Sequence, residues 1–398
     1  SSWSSTWVVI VDTSPPMVTD NQVGDDNWRT TNSGSYDVDF ADTGGSQLSR
    51  FEVKASSVPG GGVPVLVDWT IVVSGIDADT YSVDWQLPTS VWDGLLSGPT
   101  NYISVRVYDH AGNISEQVDV FYVKKDTIVP VILDNQAGDD TWRTGAGTSY
   151  DVDFVDGLSK LATAYYVVYS SPGLNGSMLI SWTTIFTYLE GVSYTLDWAI
   201  DFEQLMPGYN YVSVRCYDVA GNSSTLVDVF YVKKDTVAPE VLDNQEGYDV
   251  WQTAGGKLYD VDFVDLTSKL KDAYYCVYSS TGMGGDEVIS WTAIFTDLGE
   301  VSYTADWGVD FGQLMPGYNY VSVKVYDEAG LSRTVVDVFY IKKDTEVPVV
   351  VDNQGGDDTW RNAGGTSYDV DFVDDESKLY SCEYCIWSST GRTGVELK

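Results

Sequence analysis

The chain has 398 residues, 43% of them hydrophobic and 14% aromatic, which is enough material for about three to four domains with buried cores. Its 59 acidic against 22 basic residues give a net charge of −37, which disfavours nucleic acid and anionic lipid as partners. No apolar run approaches the roughly 20 residues of a membrane-spanning helix, so no membrane span is predicted.

An internal repeat organises the chain. Asp-Asn-Gln begins at Asp20, Asp134, Asp243 and Asp352, with offsets of 114, 109 and 109 residues, and a period of this size fits an independent sandwich domain. Residues 1–16 align with the last strand of a preceding repeat, so we expect a piece of a longer chain. The predicted domains are repeat 1 (17–130), repeat 2 (131–239), repeat 3 (240–348) and a partial repeat 4 (349–398).

The pattern within each repeat is that of β-strands. In Tyr150–Phe154 apolar and acidic residues alternate, which directs three side chains into a core and two carboxylates into water. Turn signals such as Pro207-Gly208 and Ala220–Asn222 separate the predicted strands. Pro239 lies at the end of its repeat, where a missing N–H donor suits the exit from a sheet. The predicted fold class is all-β, in tandem immunoglobulin-like β-sandwich domains joined by short linkers.

Several motifs carry a resemblance to a known family. Ser268-Lys269-Leu270, Asp327–Gly330 and the Lys-Lys-Asp-Thr-x-x-Pro ending resemble bacterial immunoglobulin-like tandem repeats of large surface and secreted proteins. The second repeat has the full Asp-x-Ala-Gly-Asn motif at Asp218–Asn222, whereas the third has Leu331 in place of Asn. The resemblance implies an extracellular or cell-surface location in a bacterium and a role as spacer, adhesin or filament component.

Acidic residues gather where successive repeats meet, and Ca²⁺ prefers six to eight oxygen ligands. If the residues converge, a cation could stiffen each junction; the alternative is that they only cap turns. Ca²⁺ at the domain junctions is therefore a predicted cofactor. The candidate ligands are Asp109, Asp126, Asp134, Asp139 and Asp140 at the first junction, Asp218, Asp235, Asp243 and Asp249 at the second, and Asp327, Asp344, Asp352, Asp357 and Asp358 at the third.

The tryptophans recur in register. The set represented by Trp198 shares strand parity with core positions, and Trp182 is expected in the core or at a strand edge. A loop set is the better candidate for exposure and for stacking on a sugar, against the alternative that it closes the end of a sandwich. The candidate ligand-binding residues are Trp28, Trp142, Trp251 and Trp360.

Catalysis is not expected. The only histidine, His110, lies in a predicted turn, and no nucleophile elbow, phosphate loop or zinc signature is present. Cys216 and Cys276 align with valines and are predicted to be small buried hydrophobes. Cys382 and Cys385 have CxxC spacing in a strand-like stretch without a second ligand pair, which favours structural cysteines over a zinc site.

The sequence therefore predicts a non-enzymatic structural component of an extracellular or cell-surface assembly, such as a stalk, spacer or filament. One alternative is an adhesin that recognises a glycan or a surface protein through loop aromatics, and another is a set of accessory repeats of a larger secreted enzyme. Self-association with neighbouring copies is the expected partnership.

Overall fold

The structure is a computed structural model, and it describes residues 8–22, 26–136, 140–245, 249–355, 360–365 and 367–398. Almost every regular element in these ranges is a β-strand. No helix in the described part of the chain is long and apolar enough to cross a membrane.

Repeat 1 contains eight strands and the short helix α1. They are β1 (Met17–Asp20), β2 (Trp28–Arg29), β3 (Val38–Ala41), β4 (Leu48–Ser56), β5 (Val65–Ala78), β6 (Thr80–Tyr81), α1 (Thr89–Gly94), β7 (Thr100–Asp109) and β8 (Ile114–Lys125).

Repeat 2 follows the same plan, with a 3₁₀ turn at Phe202–Gln204 in the place of α1. Asp201 caps this turn by accepting a hydrogen bond from the Glu203 N–H, as expected for an aspartate before a helical turn. Its strands are β9 (Val131–Asp134), β10 (Trp142–Arg143), β11 (Val152–Val155), β12 (Leu161–Ser171), β13 (Asn175–Thr187), β14 (Ser193–Tyr194), β15 (Gly208–Asp218) and β16 (Ser223–Lys234).

Repeat 3 repeats the pattern, again with a capped 3₁₀ turn, at Phe311–Gln313. Its strands are β17 (Glu240–Asp243), β18 (Trp251–Gln252), β19 (Leu258–Tyr259), β20 (Val261–Val264), β21 (Leu270–Ser280), β22 (Gly284–Phe295), β23 (Ser302–Tyr303), β24 (Trp307–Gly308), β25 (Gly317–Asp327) and β26 (Ser332–Lys343). Beyond it lie β27 (Val349–Asp352), β28 (Val370–Val373) and a 3₁₀ turn at Thr390–Arg392.

Each repeat is a sandwich of two sheets. In repeat 3 the sheets have the orders β17-β20-β23 and β18-β26-β25-β21-β22, and repeat 1 has the matching orders β1-β3-β6 and β2-β8-β7-β4-β5. In repeat 2 the corresponding orders are β14-β11-β9 and β16-β15-β12-β13. A short strand that runs parallel to the last strand, as β2 does to β8 and β18 to β26, completes the immunoglobulin-like arrangement. The predicted fold class is confirmed.

Among the described residues, three hydrophobic cores are present, and each draws its buried residues from one repeat. In repeat 3 the ring of Tyr259 stacks on Phe339 at 4.5 Å, and Trp307 donates its indole N–H to the Val261 carbonyl at 3.2 Å. Trp198 is 7% exposed and makes the equivalent bond to Val152, so its predicted core position is confirmed.

The chain divides into two compact units, one comprising Ser1–Thr141 with Gly145–Lys233 and the other Trp142–Thr144 with Lys234–Lys398. The first unit contains the cores of repeats 1 and 2, and the second contains that of repeat 3. The repeat boundaries themselves stay a prediction.

The cysteines fall into two groups. Cys216 and Cys276 are buried, and burial raises their thiol pKa values to about 12 and about 11. Cys382 and Cys385 are exposed, and the stretch around them is not a strand. In repeat 3 the corresponding strand, β21, is held between β22 and β25, and residues 379–385 pair with no strand in the described part of the chain.

Candidate metal centre

Two strands of each sandwich end in an aspartate that points inward. In repeat 2, Val152 and Phe154 face the core from β11, and two residues further along comes Asp156 with the same strand parity. On β15, Val214 and Cys216 precede Asp218 in the same way. Asp156 and Asp218 are 4% and 2% exposed, so strand geometry places two carboxylates at one end of the core.

A third carboxylate comes from the linker that precedes the repeat. Asp126, at 0% exposure, accepts hydrogen bonds from the Ile128 N–H at 2.9 Å and the Ser159 N–H at 3.1 Å. These two bonds fix the linker aspartate against the loop after β11. The Ser159 hydroxyl in turn accepts a hydrogen bond from the Ala220 N–H at 3.3 Å, which ties that loop to the turn after β15.

The same arrangement occurs three times in the described part of the chain. Within each group, carboxylate oxygens from three aspartates lie within 4.8 Å of one another, which is close enough to share one ion. The groups are Asp12, Asp42 and Asp109 (cluster 1), Asp126, Asp156 and Asp218 (cluster 2), and Asp235, Asp265 and Asp327 (cluster 3).

Asparagine completes clusters 1 and 2. Asn222 donates its side-chain N–H groups to the Asp218 Oδ2 at 2.9 Å and to the Asp126 carbonyl at 3.0 Å, and so joins the β15 turn to the linker. Asn113 makes the matching bonds to Asp109 at 2.7 Å and to the Asp12 carbonyl at 3.2 Å. Burial nevertheless raises the pKa of Asp218, and the nearby Asp126 adds to the effect.

Cluster 3 lacks this asparagine because Leu331 stands in its place. Asp327 Oδ1 still accepts the Leu331 N–H at 2.8 Å, but the buried Oδ2 has no hydrogen-bond partner among the described residues. Asp327 is 0% exposed. Burial, followed by the charges of Asp235 and Asp265, raises its pKa to about 6. Cluster 3 therefore presents a buried carboxylate oxygen that is free to bind a cation.

Clusters 2 and 3 are electrostatically unfavourable without a cation, because burial and a neighbouring carboxylate raise the pKa of Asp218 and of Asp327. At 4.8 Å two carboxylates repel each other by about 3 kcal/mol at an effective dielectric constant of about 20. Within the described ranges, no Lys, Arg or His side chain forms an ion pair with any of the nine aspartates. Burying like charges without a counter-charge is costly, so a bound cation would relieve a strain that the fold imposes.

The donor set is made of oxygen alone. A hard divalent cation prefers such ligands, whereas zinc favours the nitrogen and sulfur of His and Cys. Loop N–H groups hold the aspartates in place, as in cluster 3, where Asp265 Oδ1 accepts bonds from Thr267, Ser268 and Lys269 at 2.8–3.0 Å. The clusters could each hold a metal ion.

Five of the candidate ligands found in the sequence lie in the clusters, but not in the predicted groups. Asp109 lies in cluster 1, Asp126 and Asp218 lie in cluster 2, and Asp235 and Asp327 lie in cluster 3, whereas the sequence placed Asp109 with Asp126 and Asp218 with Asp235. Others lie elsewhere. The exposed carboxylates of Asp134, Asp243 and Asp352 each accept the N–H of the residue two positions ahead, which is the turn-capping alternative.

Asp140 and Asp249 are exposed and accept hydrogen bonds from the tyrosines Tyr231 and Tyr340 at 2.5 Å. Asp344 is buried, and its pKa is lowered, first by a hydrogen bond from the Ser377 hydroxyl. Asp139, Asp357 and Asp358 lie outside the described residues.

Sequence reasoning missed Asp12, Asp42, Asp156 and Asp265. The signal was present, because Asp156 continues the inward parity of Val152 and Phe154, and a carboxylate at a core position calls for a partner. In cluster 1, Asp12 is only half-buried, and its pKa is lowered, chiefly by the hydrogen bond from Ser46.

The loop tryptophans differ in exposure. Trp28, Trp142 and Trp251 are half-buried, and the Trp251 ring packs edge-on against Tyr318 at 6.0 Å. Trp360 is 100% exposed. Their proposed role in binding a ligand stays a prediction.

No family model matches this chain, and no curated protein matches it. Among solved structures, it is similar to a 1.5-MDa bacterial ice-binding adhesin (17% identity, TM-score 0.34, covering 84% of this chain and 99% of that chain). It is also similar to a Ca²⁺-stabilised adhesin with which an Antarctic bacterium binds ice (16% identity, TM-score 0.33, covering 86% and 77%). A third similar structure is a tetra-tandem repeat of the extending region of a large adhesion protein (15% identity, TM-score 0.31, covering 83% and 74%).

Proposed function

We propose that this chain is a non-enzymatic structural segment of an extracellular or cell-surface assembly, and that Ca²⁺ bound at the three-aspartate clusters stiffens it. The observation that carries the proposal is the Asp327 Oδ2, a buried carboxylate oxygen that has no hydrogen-bond partner among the described residues and belongs to a group of three neighbouring carboxylates. An apolar residue such as Leu331 beside it cannot satisfy this oxygen, so a cation is the fitting occupant.

The position of the clusters gives the metal a mechanical role. Each cluster joins a linker aspartate to two strand ends of the repeat that follows it. In cluster 2 the linker residue Asp126 is linked in this way to Asp156 and Asp218. A Ca²⁺ ion there would fix the direction in which the linker enters the sandwich, and so limit bending between repeats. This supports the predicted division into repeats at 17–130, 131–239 and 240–348.

The net charge and the setting of the single histidine agree with a non-enzymatic structural role. The charge of −37 favours solubility and draws divalent cations towards the chain. The single histidine, His110, contacts the exposed Asp77 at 3.0 Å in a turn, which is a surface pair and a poor setting for acid–base chemistry. Neighbouring copies of the chain and a surface glycan or protein are the proposed partners.

Calcium titration of the full chain by calorimetry tests the proposal. We expect saturable binding and a large rise in the thermal midpoint over the protein in chelator, since Ca²⁺ at about 100 times its dissociation constant adds about 2.7 kcal/mol per site. Small-angle scattering should show a longer, stiffer particle with Ca²⁺. No binding heat and no change in midpoint would overturn the metal assignment.

Variants separate the cluster residues from the other candidate ligands. Asp156→Asn and Asp265→Asn should each remove one binding site. The matched controls, Asp134→Asn and Asp243→Asn, also remove a charge near a linker but lie outside the clusters, and they should bind Ca²⁺ as the unmodified chain does. If instead the controls lose the ion, the site lies at the exposed loops.

A further inference from the structure

A shallow aromatic depression lies on the outer face of the sheet β16-β15-β12-β13 in repeat 2. It is lined by Thr163, Tyr165, Trp182, Arg215 and Tyr217, which come from the neighbouring strands β12, β13 and β15. Trp182 is 36% exposed. It lies on the edge strand β13, which contains no charged residue. The metal clusters do not include any of these residues.

The rings and the cation of this depression form an ordered platform. The Arg215 guanidinium lies 4.5 Å from the centre of the Trp182 ring, as expected for a cation–π contact. Tyr165 and Tyr217 pack edge to face at 6.3 Å and 85°. Arg215 Nε donates to the Thr225 hydroxyl at 3.0 Å, which fixes the direction of the side chain.

Repeat 3 has a near copy of this platform. Lys324 lies 5.6 Å from the centre of the Trp291 ring, and Tyr274 and Tyr326 pack edge to face at 6.4 Å and 86°. Trp291 is 39% exposed. Lys271, Asp272 and the cluster 3 residue Asp327 also line this depression, and the two carboxylates make it less favourable to an anion than the depression in repeat 2.

Repeat 1 shows what a carboxylate does at this position. There Arg106 lies 4.3 Å from the Trp69 ring centre, and the carboxylate of Glu52 binds its guanidinium at 2.6 Å. Glu52 pairs across the strands with Arg106, as Tyr165 pairs with Arg215 and Tyr274 with Lys324. In repeat 1 the Glu52 carboxylate therefore already occupies the place beside Arg106 and Trp69 where an anionic ligand would bind.

In repeats 2 and 3 a tyrosine replaces that glutamate. Within the described residues, neither Arg215 nor Lys324 forms an ion pair, even though acidic residues outnumber basic ones by 59 to 22 in the chain. An arginine with a free edge matches a carboxylate in two-point geometry. The replacement leaves a cation, an exposed tryptophan and two tyrosines open to a ligand.

We propose that the depressions of repeats 2 and 3 bind a sugar that carries a carboxylate, and that the depression of repeat 1 does not. The carboxylate of the sugar takes the place that Glu52 occupies in repeat 1, and the apolar face of the pyranose ring stacks on the exposed aromatic rings. The open, shallow shape suits a glycan that lies across the sheet. Binding in repeat 2 is the stronger of the two, because no carboxylate lines that depression.

Binding of the full chain to defined glycans tests the inference. The probes are oligogalacturonate, with a carboxylate on each ring, and sialyllactose, with one at its tip, and the neutral comparison is maltotriose. Binding of either acidic probe at least about tenfold tighter than maltotriose supports the site and tells which source the carboxylate has. Equal binding of all three probes, or none, overturns it.

The glutamate of repeat 1 and the tyrosines of repeats 2 and 3 at the same register position suggest a double variant. Tyr165→Glu together with Tyr274→Glu installs the repeat 1 arrangement in repeats 2 and 3, and should lower affinity for the acidic probe at least about tenfold with an unchanged thermal midpoint. The reciprocal Glu52→Tyr should add binding in repeat 1. Unchanged affinity in the double variant refutes the proposal.

Two further controls complete the test. Trp182→Ala removes the stacking surface while keeping the charge of Arg215, so it should weaken binding if a sugar ring is recognised. Poly-glutamate offers carboxylates without pyranose rings. If poly-glutamate binds as tightly as the acidic sugar, the depression is an acidic-peptide site and the glycan assignment is wrong.

Discussion

Asp327→Asn changes the charge of cluster 3 while keeping the shape of the side chain. The Asp327 pKa of about 6, against an ordinary 3.8, corresponds to about 3 kcal/mol of unfavourable energy for the charged form in the fold. In chelator near pH 7 the variant should therefore be more stable than the unmodified chain. The gain has an upper limit of about 3 kcal/mol, or on the order of 10 °C for a repeat of this size.

The sign of the pH dependence follows from linkage. Between pH 3.8 and about 6 the folded, calcium-free protein holds a proton on Asp327 that the unfolded chain has released, so this group lowers stability as pH rises. The advantage of Asp327→Asn is thus fully present above about pH 6, and it disappears as pH falls towards 3.8. With Ca²⁺ present the unmodified chain should be the more stable of the two proteins, because the variant has lost a metal ligand.

Scanning calorimetry of both proteins, in chelator and in Ca²⁺, measures these differences. Asp286→Asn is the matched control, since Asp286 is exposed and outside the cluster, and it should change neither the pH dependence nor the response to Ca²⁺. A variant that is less stable than the unmodified chain in chelator near pH 7 would refute the reasoning. A stability advantage of Asp327→Asn in chelator that persists below about pH 3.8, the ordinary pKa of the carboxyl, would also refute it.

Three further predictions concern single side chains. Leu331→Asn restores the residue of the other repeats, and should lower the pKa of Asp327 and raise calcium-free stability by about 1 kcal/mol, measured by chemical unfolding across pH. Phe263→Ala, at a core position with 0% exposure, should cost about 3–5 kcal/mol in the same assay, and a loss below about 1 kcal/mol would contradict the assigned core. Because burial raises the pKa of Cys216 to about 12 and that of Cys276 to about 11, iodoacetamide should label neither in the folded protein near pH 8, and mass spectrometry after digestion checks this.

The fold could be predicted because the two periodicities of the sequence reinforce each other. The strand alternation of Tyr150–Phe154 gives each sheet a buried face, and its recurrence about every 109 residues gives the number of sandwiches. The Cys382–Cys385 stretch shows the limit of such reasoning. Its residues have the composition of a strand, yet pairing depends on neighbouring strands that local sequence does not supply.

The metal centre could be predicted only in part, because sequence proximity is a poor guide to which carboxylates meet. Asp134 is eight residues from Asp126 but lies at the far end of β9 and caps its own turn. Asp156 and Asp218 are distant in sequence, yet each ends a strand whose inward parity leads to the same end of the core. The rule that finds them is an aspartate that continues the core parity of a strand by one step.

In the outer-sheet depression a comparison between repeats is informative in the same way. Tyr165 stands at the register position of Glu52, so Arg215 lacks the carboxylate that Arg106 has in repeat 1. At the metal cluster and at the depression, the informative residue is the one that differs between repeats. Leu331 stands where repeats 1 and 2 have an asparagine, and because the surrounding geometry is otherwise the same, the missing hydrogen-bond partner of Asp327 can be identified.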